Sequence, residues 1–331
     1  MFKPETPSIY FVTGGSGYVG RNIVRWLVSK GHEVRALVRS QKSATIVTDL
    51  GAKAVLGDMS DREILQKGMA GAQYLIHAAA NTDHGIISEA AEQENEIATD
   101  NVYQAAKEVG IVRCLHLSTE AVLLDGNPLV MATEALPYPN KSAGGYSKTK
   151  AEAERIAFSC SGEKMEVVAL RPRFIWGRDD TTALPQLIKA AKTGKLSWID
   201  GGMYLTSTTH IANVVHGIML ALENGRAGEA YFISDGDPVV FRQFVSDLLA
   251  TKKVEAPKGS IPRWLVASVV RIGDLLSRLT RGKINGPMSQ QEYATLGFEV
   301  TLDINKAQKE LGYKPIISMK EGMAELSQPK I

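Results

Sequence analysis

The chain has 331 residues, 44% hydrophobic and 22% charged, with 30 glycines, 13 prolines and no tandem period, which excludes disordered, collagenous and fibrous classes. The formal charge of 38 − 36 = +2 is too even for the basic footprint that phosphate-backbone binding requires, so no nucleic-acid partner is expected. Length suggests about two domains, or one with an elaborated lobe.

Read in order, the residues up to Ser8 are short, polar and Pro-containing, unlike a signal peptide, and no stretch approaches about 18 uninterrupted apolar residues. The first half then repeats one unit: a short β-rich run, a Gly-containing turn and a helical stretch. Strands are expected at 9–13, 33–38, 54–56, 74–77, 112–117 and 166–170, and helices at 19–30, 95–109 and 146–159. Such alternation needs long crossovers between parallel strands, so the expected fold class is α/β, a Rossmann-type doubly wound parallel sheet. Beyond Arg171 the regularity breaks into Pro- and Gly-punctuated pieces, with helices at 184–193, 211–223 and 241–250. The expected division is a dinucleotide-binding core over 1–170 and a mostly substrate-binding lobe over 171–331, packed on the core without a linker. Cys114 and Cys160 have no metal-ligand spacing and cannot form a disulfide framework, which favours a reducing, cytoplasmic location.

Residues 13–20, Thr-Gly-Gly-Ser-Gly-Tyr-Val-Gly, fit G-x-G-x-x-G from Gly15 and G-x-x-G-x-x-G from Gly14, between a β run and an amphipathic helix. Glycines there let backbone approach a pyrophosphate at the helix N-terminus, so Gly14, Gly15, Ser16, Gly17, Tyr18, Val19 and Gly20 are expected to bind a dinucleotide. Nineteen residues past Gly20, Arg39 ends the second strand. A carboxylate there would suit NAD; a guanidinium, with Ser40 and Lys42 nearby, suits a 2′-phosphate, so NADP(H) is expected and NAD(H) is the alternative. Asp58, followed by Met59, ends the third strand within reach of an adenine. Ala78, Ala79 and Ala80 end the fourth, where small side chains would let a cofactor cross the sheet edge.

Tyr-x-x-x-Lys places a phenol and an ammonium one helical turn apart, and it occurs twice, as Tyr103 with Lys107 and as Tyr146 with Lys150. Tyr103 lies inside a crossover helix, whereas Tyr146 opens its helix beside a strand ending in Leu117-Ser118-Thr119, which favours Tyr146. With the Gly turn, His77-Ala-Ala-Ala80, Asn95-x-x-x-Thr-x-Asn101, Ser118-Thr119, Tyr146-Ser-Lys-Thr-Lys150 and Arg171-Pro172, the chain resembles the extended short-chain dehydrogenase/reductases nearly end to end. The segments 170–177, 230–234 and 255–264 are similar to the 3β-hydroxysteroid dehydrogenase branch of the NAD-dependent epimerase/dehydratase family, which includes sterol-4-carboxylate 3-dehydrogenases and reductases of 2-alkyl-3-oxo acids.

That resemblance implies Tyr146 as general acid/base, Lys150 as ligand of the nicotinamide ribose and perturber of the phenol, and Thr119 as the hydroxyl polarising the substrate oxygen. It adds Arg171 and Pro172 to the cofactor site, and Thr119, Tyr146, Phe174 and Trp176 to the substrate site. A free phenol titrates near pH 10, and a neighbouring cation is expected to lower it. His210 and His216 stand six apart with no third ligand, so no metal is expected. Residues 261–281 form an amphipathic pattern, with Ile261, Leu265, Val269, Ile272, Leu276 and Leu279 on one face and Arg271, Asp274, Arg278 and Arg281 mostly on the other. It reads as a cover for the substrate lobe or as a peripheral membrane contact. A homodimer is allowed for. The expected activity is NADP-dependent interconversion of hydroxyl and ketone on a hydrophobic substrate, a 3β-hydroxysteroid, a sterol-4-carboxylate or a 2-alkyl-3-oxo acid; a nucleotide-sugar epimerase and a non-catalytic NADP sensor are the alternatives.

Overall fold

The structure is a computed structural model that describes residues 7–79, 89–280 and 286–328. From the N-terminus run β1 (Ile9–Thr13), α1 (Tyr18–Ser29), β2 (Glu33–Val38), α2 (Gln41–Asp49), β3 (Lys53–Leu56), α3 (Arg62–Met69), β4 (Tyr74–His77), α4 (Glu89–Glu108), β5 (Arg113–Leu117), β6 (Leu129–Ala132), α5 (Gly145–Ser159) and β7 (Glu166–Pro172). There follow β8 (Ile175–Trp176), α6 (Ala183–Lys192), β9 (Trp198–Ile199), β10 (Leu205–Thr206), β11 (Thr209–His210), α7 (Ile211–Asn224), β12 (Ala230–Ile233), β13 (Val239–Val240) and α8 (Phe241–Ala250). The chain ends with β14 (Ser260–Ile261), α9 (Arg263–Leu279), α10 (Gln290–Leu296), β15 (Val300–Leu302) and α11 (Met319–Ser327).

Seven parallel strands form the central sheet in the order β12-β7-β5-β4-β1-β2-β3. β4 and β5 are buried at every residue, the near-continuous burial expected of strands covered on both faces. One apolar core packs α1, α2 and α7 on one face, and a second packs α3, α4 and α5 on the other. The strand order reverses between β1 and β4, so the crevice for a ligand opens beyond the paired ends Thr13 and His77.

The cut expected at residue 170 does not divide the molecule in space. β7 runs through Arg171 to Pro172, and β12 returns to the sheet beside it, with Phe232 paired to Arg171 and Ile233 to Pro172. Conversely, β6 leaves the first half and joins β15, β10 and β13 in a small second sheet. A separate apolar cluster around Trp176, Trp198, Phe241 and Phe244 forms the core of the lobe.

In α9 the large apolar residues face outward. The helix starts at Arg263, after Pro262, which cannot donate to a ladder. It packs inward through Val270, Gly273 and Ser277, with Gly273 against Gly286, while Trp264 at 70% and Leu279 at 73% exposure mark the ends of an open face that includes Ile272, Leu275 and Leu276. Arg281 and the side chain of Arg278 lie outside the described residues.

Candidate active site

The phosphate turn is built for close backbone approach. Gly14 holds φ +72°, and a Cβ there would lie 2.7 Å from the Ala78 carbonyl and the Ala79 nitrogen; one on Gly20 would lie 2.0 Å from the Gly14 carbonyl. Gly17 caps α1 with no side-chain bond, and no acid occupies the first turn, so the helix presents bare N–H groups and the positive end of its dipole. A dinucleotide pyrophosphate fits this cradle. Ser16 is half-buried and Val19 packs partly into the core. The Tyr18 ring turns away from the turn into the core, facing Asp179, Asp180 and Glu325, with its phenol raised by burial first and then by those carboxylates. Only its backbone remains for a cofactor.

Arg39 is exposed just past β2 and stands near Asp58, whose carboxyl it helps to hold down, behind the stronger hydrogen bonds from the Ser60 backbone and hydroxyl at 2.9 and 2.8 Å. Ser40 is engaged in capping α2 through Ser43 N, while Lys42 is exposed. Met59 is half-buried against the α3–α4 core. Ala78 and Ala79 lie at the crevice, their N–H groups donating to the carbonyl and hydroxyl of Thr13 at 3.2 and 3.3 Å; Ala80 lies outside the described residues.

Thr119, Tyr146 and Lys150 come together at the carboxyl edge of the sheet. Thr119 caps a 3₁₀ turn over Glu120–Leu123, accepting from Ala121 N at 3.2 Å, and its hydroxyl donates to Glu120 Oε2 at 2.6 Å. Tyr146, in the first turn of α5, is hydrogen-bonded to Thr119. That helix has no side-chain cap of its own; Gln291 of α10 reaches across to accept from Ser147 N at 3.0 Å. Lys150, one turn on, is buried and donates to the Leu117 carbonyl at 2.7 Å. Burial pulls its ammonium down to about 8, with Glu154 opposing. The phenol of Tyr146, expected to be lowered by this cation, is held above its ordinary range instead, because burial dominates and the Glu120 carboxylate adds to it.

The competing pair is not assembled. Tyr103, on the buried side of α4, lies in the core, bonded to His116 Nδ1 at 2.8 Å, while Lys107 is exposed. His116 and His77 stand side by side on β5 and β4, kept neutral by burial first and by the nearby Lys150 charge.

Two expected contacts lie in buried surroundings. Arg171 points into a buried ion pair, its Nε 3.0 and 3.2 Å from the Glu154 oxygens and its Nη2 also on Glu154, with Tyr138 and Phe232 rings beside it, so these nitrogens are committed to a structural contact. Pro172 is buried at the end of β7. Trp176 is fully buried, its indole N–H donating to Asp235 at 2.7 Å and its ring packed on His210 and Phe244, so it holds the lobe together and offers no surface to a substrate. Phe174 remains half-buried at φ 39°, edge-on to Phe244. His210 caps α7 and His216 packs on Tyr313.

Sequence reasoning missed Glu120 and Arg173. Both are buried charges, joined at 2.6 Å directly behind Thr119. The signal was present in two ionisable residues placed next to the hydroxyl motif and in the strand-end Arg-Pro-Arg.

Residues 11–263 match the model of the 3-beta hydroxysteroid dehydrogenase/isomerase family. A 4-hydroxy-2-methyl-3-oxo-4-farnesyl-3,4-dihydroquinoline-1-oxide ketoreductase of Stigmatella aurantiaca is 45% identical over 96% of this chain and 95% of its own. A 2-alkyl-3-oxoalkanoate reductase of Stenotrophomonas maltophilia is 32% identical over 95% and 97%. Among solved structures, a dTDP-glucose 4,6-dehydratase of Bacillus anthracis in complex with NAD shares the fold at a TM-score of 0.73 and 18% identity, covering 97% and 95% of the two chains. The chain thus belongs to the 3-beta hydroxysteroid dehydrogenase/isomerase family, as an oxidoreductase of the short-chain dehydrogenase/reductase class acting on CH–OH groups.

Proposed function

We infer that the protein interconverts a ketone and a secondary alcohol on a hydrophobic substrate using NADP(H). The observation that carries this is the cluster of Thr119, Tyr146 and Lys150 at the sheet edge that also holds the phosphate turn. When bound, the nicotinamide supplies or takes up hydride. The chain's own residues hold the cofactor and move the proton. The Gly14–Gly20 backbone takes the pyrophosphate, and Arg39 the 2′-phosphate. Lys150, with one of its three N–H groups on Leu117, offers the others to the nicotinamide ribose. Tyr146 Oη gives its proton to the ketone oxygen in reduction and regains it in oxidation.

The substrate class is supported by the two reductases named above, whose names describe ketones on apolar bodies; a 2-alkyl-3-oxo acid or a 3-oxosteroid fits that description. The test is loss of NADPH absorbance with 2-alkyl-3-oxo esters, 3-oxosteroids and nucleotide sugars. Turnover of either ketone class supports the reading, and turnover of nucleotide sugars alone overturns it.

The outward face of α9 supports a peripheral contact with an anionic lipid surface. Within α9 stand Arg263, Arg271 and Arg278 against the single acid Asp274, and a basic amphipathic helix with Trp and Leu exposed is the form that lies in a headgroup layer. Among the described residues no helix is long and apolar enough to cross a membrane.

A further inference from the structure

Glu120 is only 3% exposed and Arg173 1%, and each commits its charge completely. Arg173 Nη1 donates to Glu120 Oε1 at 2.6 Å, Nε to Thr206 Oγ1 at 3.0 Å and Nη2 to the Thr295 carbonyl at 2.9 Å. The carboxylate is thus clamped from the lobe side, with its second oxygen aimed at Thr119. Burying an ion pair is seldom a source of stability, since the desolvation of two charges offsets their attraction. A pair held this firmly behind a hydroxyl of the reactive cluster therefore calls for a functional account.

A threonine hydroxyl has one proton and two lone pairs. Here the hydroxyl donates its proton in a hydrogen bond to Glu120 and the Ala121 N–H occupies one lone pair, which leaves a single lone pair toward Tyr146 and the cleft. We propose that Glu120 is a positioning residue: by accepting the Thr119 hydroxyl hydrogen bond it makes Thr119 an acceptor toward the cleft, so that within the Thr119, Tyr146, Lys150 cluster it is Tyr146 that donates to a ketone oxygen. This rests on the assignment of Tyr146 as acid/base. It reverses the role expected for Thr119, which accepts from the phenol or from a substrate hydroxyl and does not polarise a ketone.

Among the described residues, few charged groups stand around the phenol. Glu120 faces it from the 3₁₀ turn with Arg173 behind, and Lys150 follows on its own helix with His77 and His116 beyond, both neutral. On α5, Lys148 is paired with Glu92, Glu152 with Arg155, and Glu154, one turn past Lys150, with Arg171, while the adjoining surface of α10 presents Ala294 and Gln291, which do not titrate. Glu120 is therefore the negative charge that opposes ionisation of the phenol. Reduction, which needs the phenol, proceeds at neutral pH, whereas oxidation, which needs the phenolate, rises only in the alkaline range.

The test measures pH profiles in both directions with NADP(H), using ethyl 2-methylacetoacetate and ethyl 3-hydroxy-2-methylbutyrate, on the parent, Glu120→Gln, Glu120→Asp and the double variant Glu120→Gln/Arg173→Met. The double variant leaves no orphaned buried cation and guards against loss of folding. Expected is an alkaline rise of oxidation in the parent, its midpoint lowered by about one pH unit in the Gln variants, about a tenfold gain at pH values below the rise, and a return toward the parent in the Asp variant. A flat oxidation profile down to pH 7 in the parent, or an unmoved midpoint in the Gln variants, overturns the proposal. Tyr146→Phe separates the two layers: if it stays active the acid/base assignment itself fails, and if it is silent while Glu120→Gln keeps the parent profile, only the role of Glu120 fails.

Discussion

Replacing Glu154 by Ala tests whether Arg171 is structural. The side chains of Arg171 and Glu154 are 5% and 0% exposed, and the carboxylate accepts from the guanidinium Nε, from Nη2 and from the Tyr138 hydroxyl at 2.6 Å. Truncation leaves a buried cation without its counter-ion, about 3–5 kcal/mol, and removes the acceptor of the Tyr138 phenol, about 1 kcal/mol more. Against a total stability of about 5–15 kcal/mol, the loss of about 4–6 kcal/mol brings Glu154→Ala close to unfolding. Removing both charges in Glu154→Met/Arg171→Met costs far less, since no unpaired ion remains. Urea denaturation followed by circular dichroism gives the two stabilities, and fluorescence titration gives the NADPH affinity of the double variant. A cost below about 1 kcal/mol for Glu154→Ala, or a loss of more than about tenfold in NADPH affinity in the folded double variant, would refute the structural assignment and return Arg171 to the cofactor site.

Arg39→Asp should invert or erase a preference for NADPH over NADH, by about 1.5–3 kcal/mol or roughly 10- to 150-fold in the ratio of dissociation constants; an unchanged ratio removes Arg39 from the 2′-phosphate site. Lys150 is lowered from 10.5 to about 8 in the folded protein, so the folded state is penalised for its charge below pH 8 and the penalty fades as pH rises from 8 to 10.5. Lys150→Met should then be inactive yet more stable at pH 7, by up to about 3 kcal/mol, with the margin shrinking toward pH 10; a variant less stable than the parent at neutral pH contradicts that sign. The parent should sediment with vesicles containing phosphatidylglycerol and not with pure phosphatidylcholine, and Leu275→Glu/Leu279→Glu should stay in solution. A concentration-dependent dimer with no vesicle binding would give the α9 face to a second copy instead.

Much of the fold was legible because its signals are local. The fully buried β4 was bounded to the residue by its apolar run, and the Gly turn by spacings that only close backbone contact requires. Tyr146 was separable from Tyr103 by its place at the opening of a helix beside Thr119. What failed depends on partners distant in sequence. Arg171 and Trp176 were placed at the site by resemblance alone, and their buried partners could not be seen, since Glu154 is on a different element and Asp235 lies 59 residues away. The direction in which α9 packs was likewise hidden, since a periodic pattern fixes two faces and not which one is inward. Glu120 escaped notice because a carboxylate next to a hydroxyl acquires meaning only with Arg173 buried behind it.

Net hydride transfer between NADP(H) and a ketone, assisted by Tyr146, is checked by following the hydride itself. The parent enzyme is incubated with ethyl 2-methylacetoacetate and NADPH carrying deuterium at both C4 positions, and the product is analysed by mass spectrometry beside the same reaction of Tyr146→Phe. One deuterium is expected at the carbinol carbon, formed in step with NADP⁺, with a rate at least about a hundredfold lower in Tyr146→Phe and cofactor affinity little changed. Product without deuterium, or equal rates in the two proteins, would contradict it.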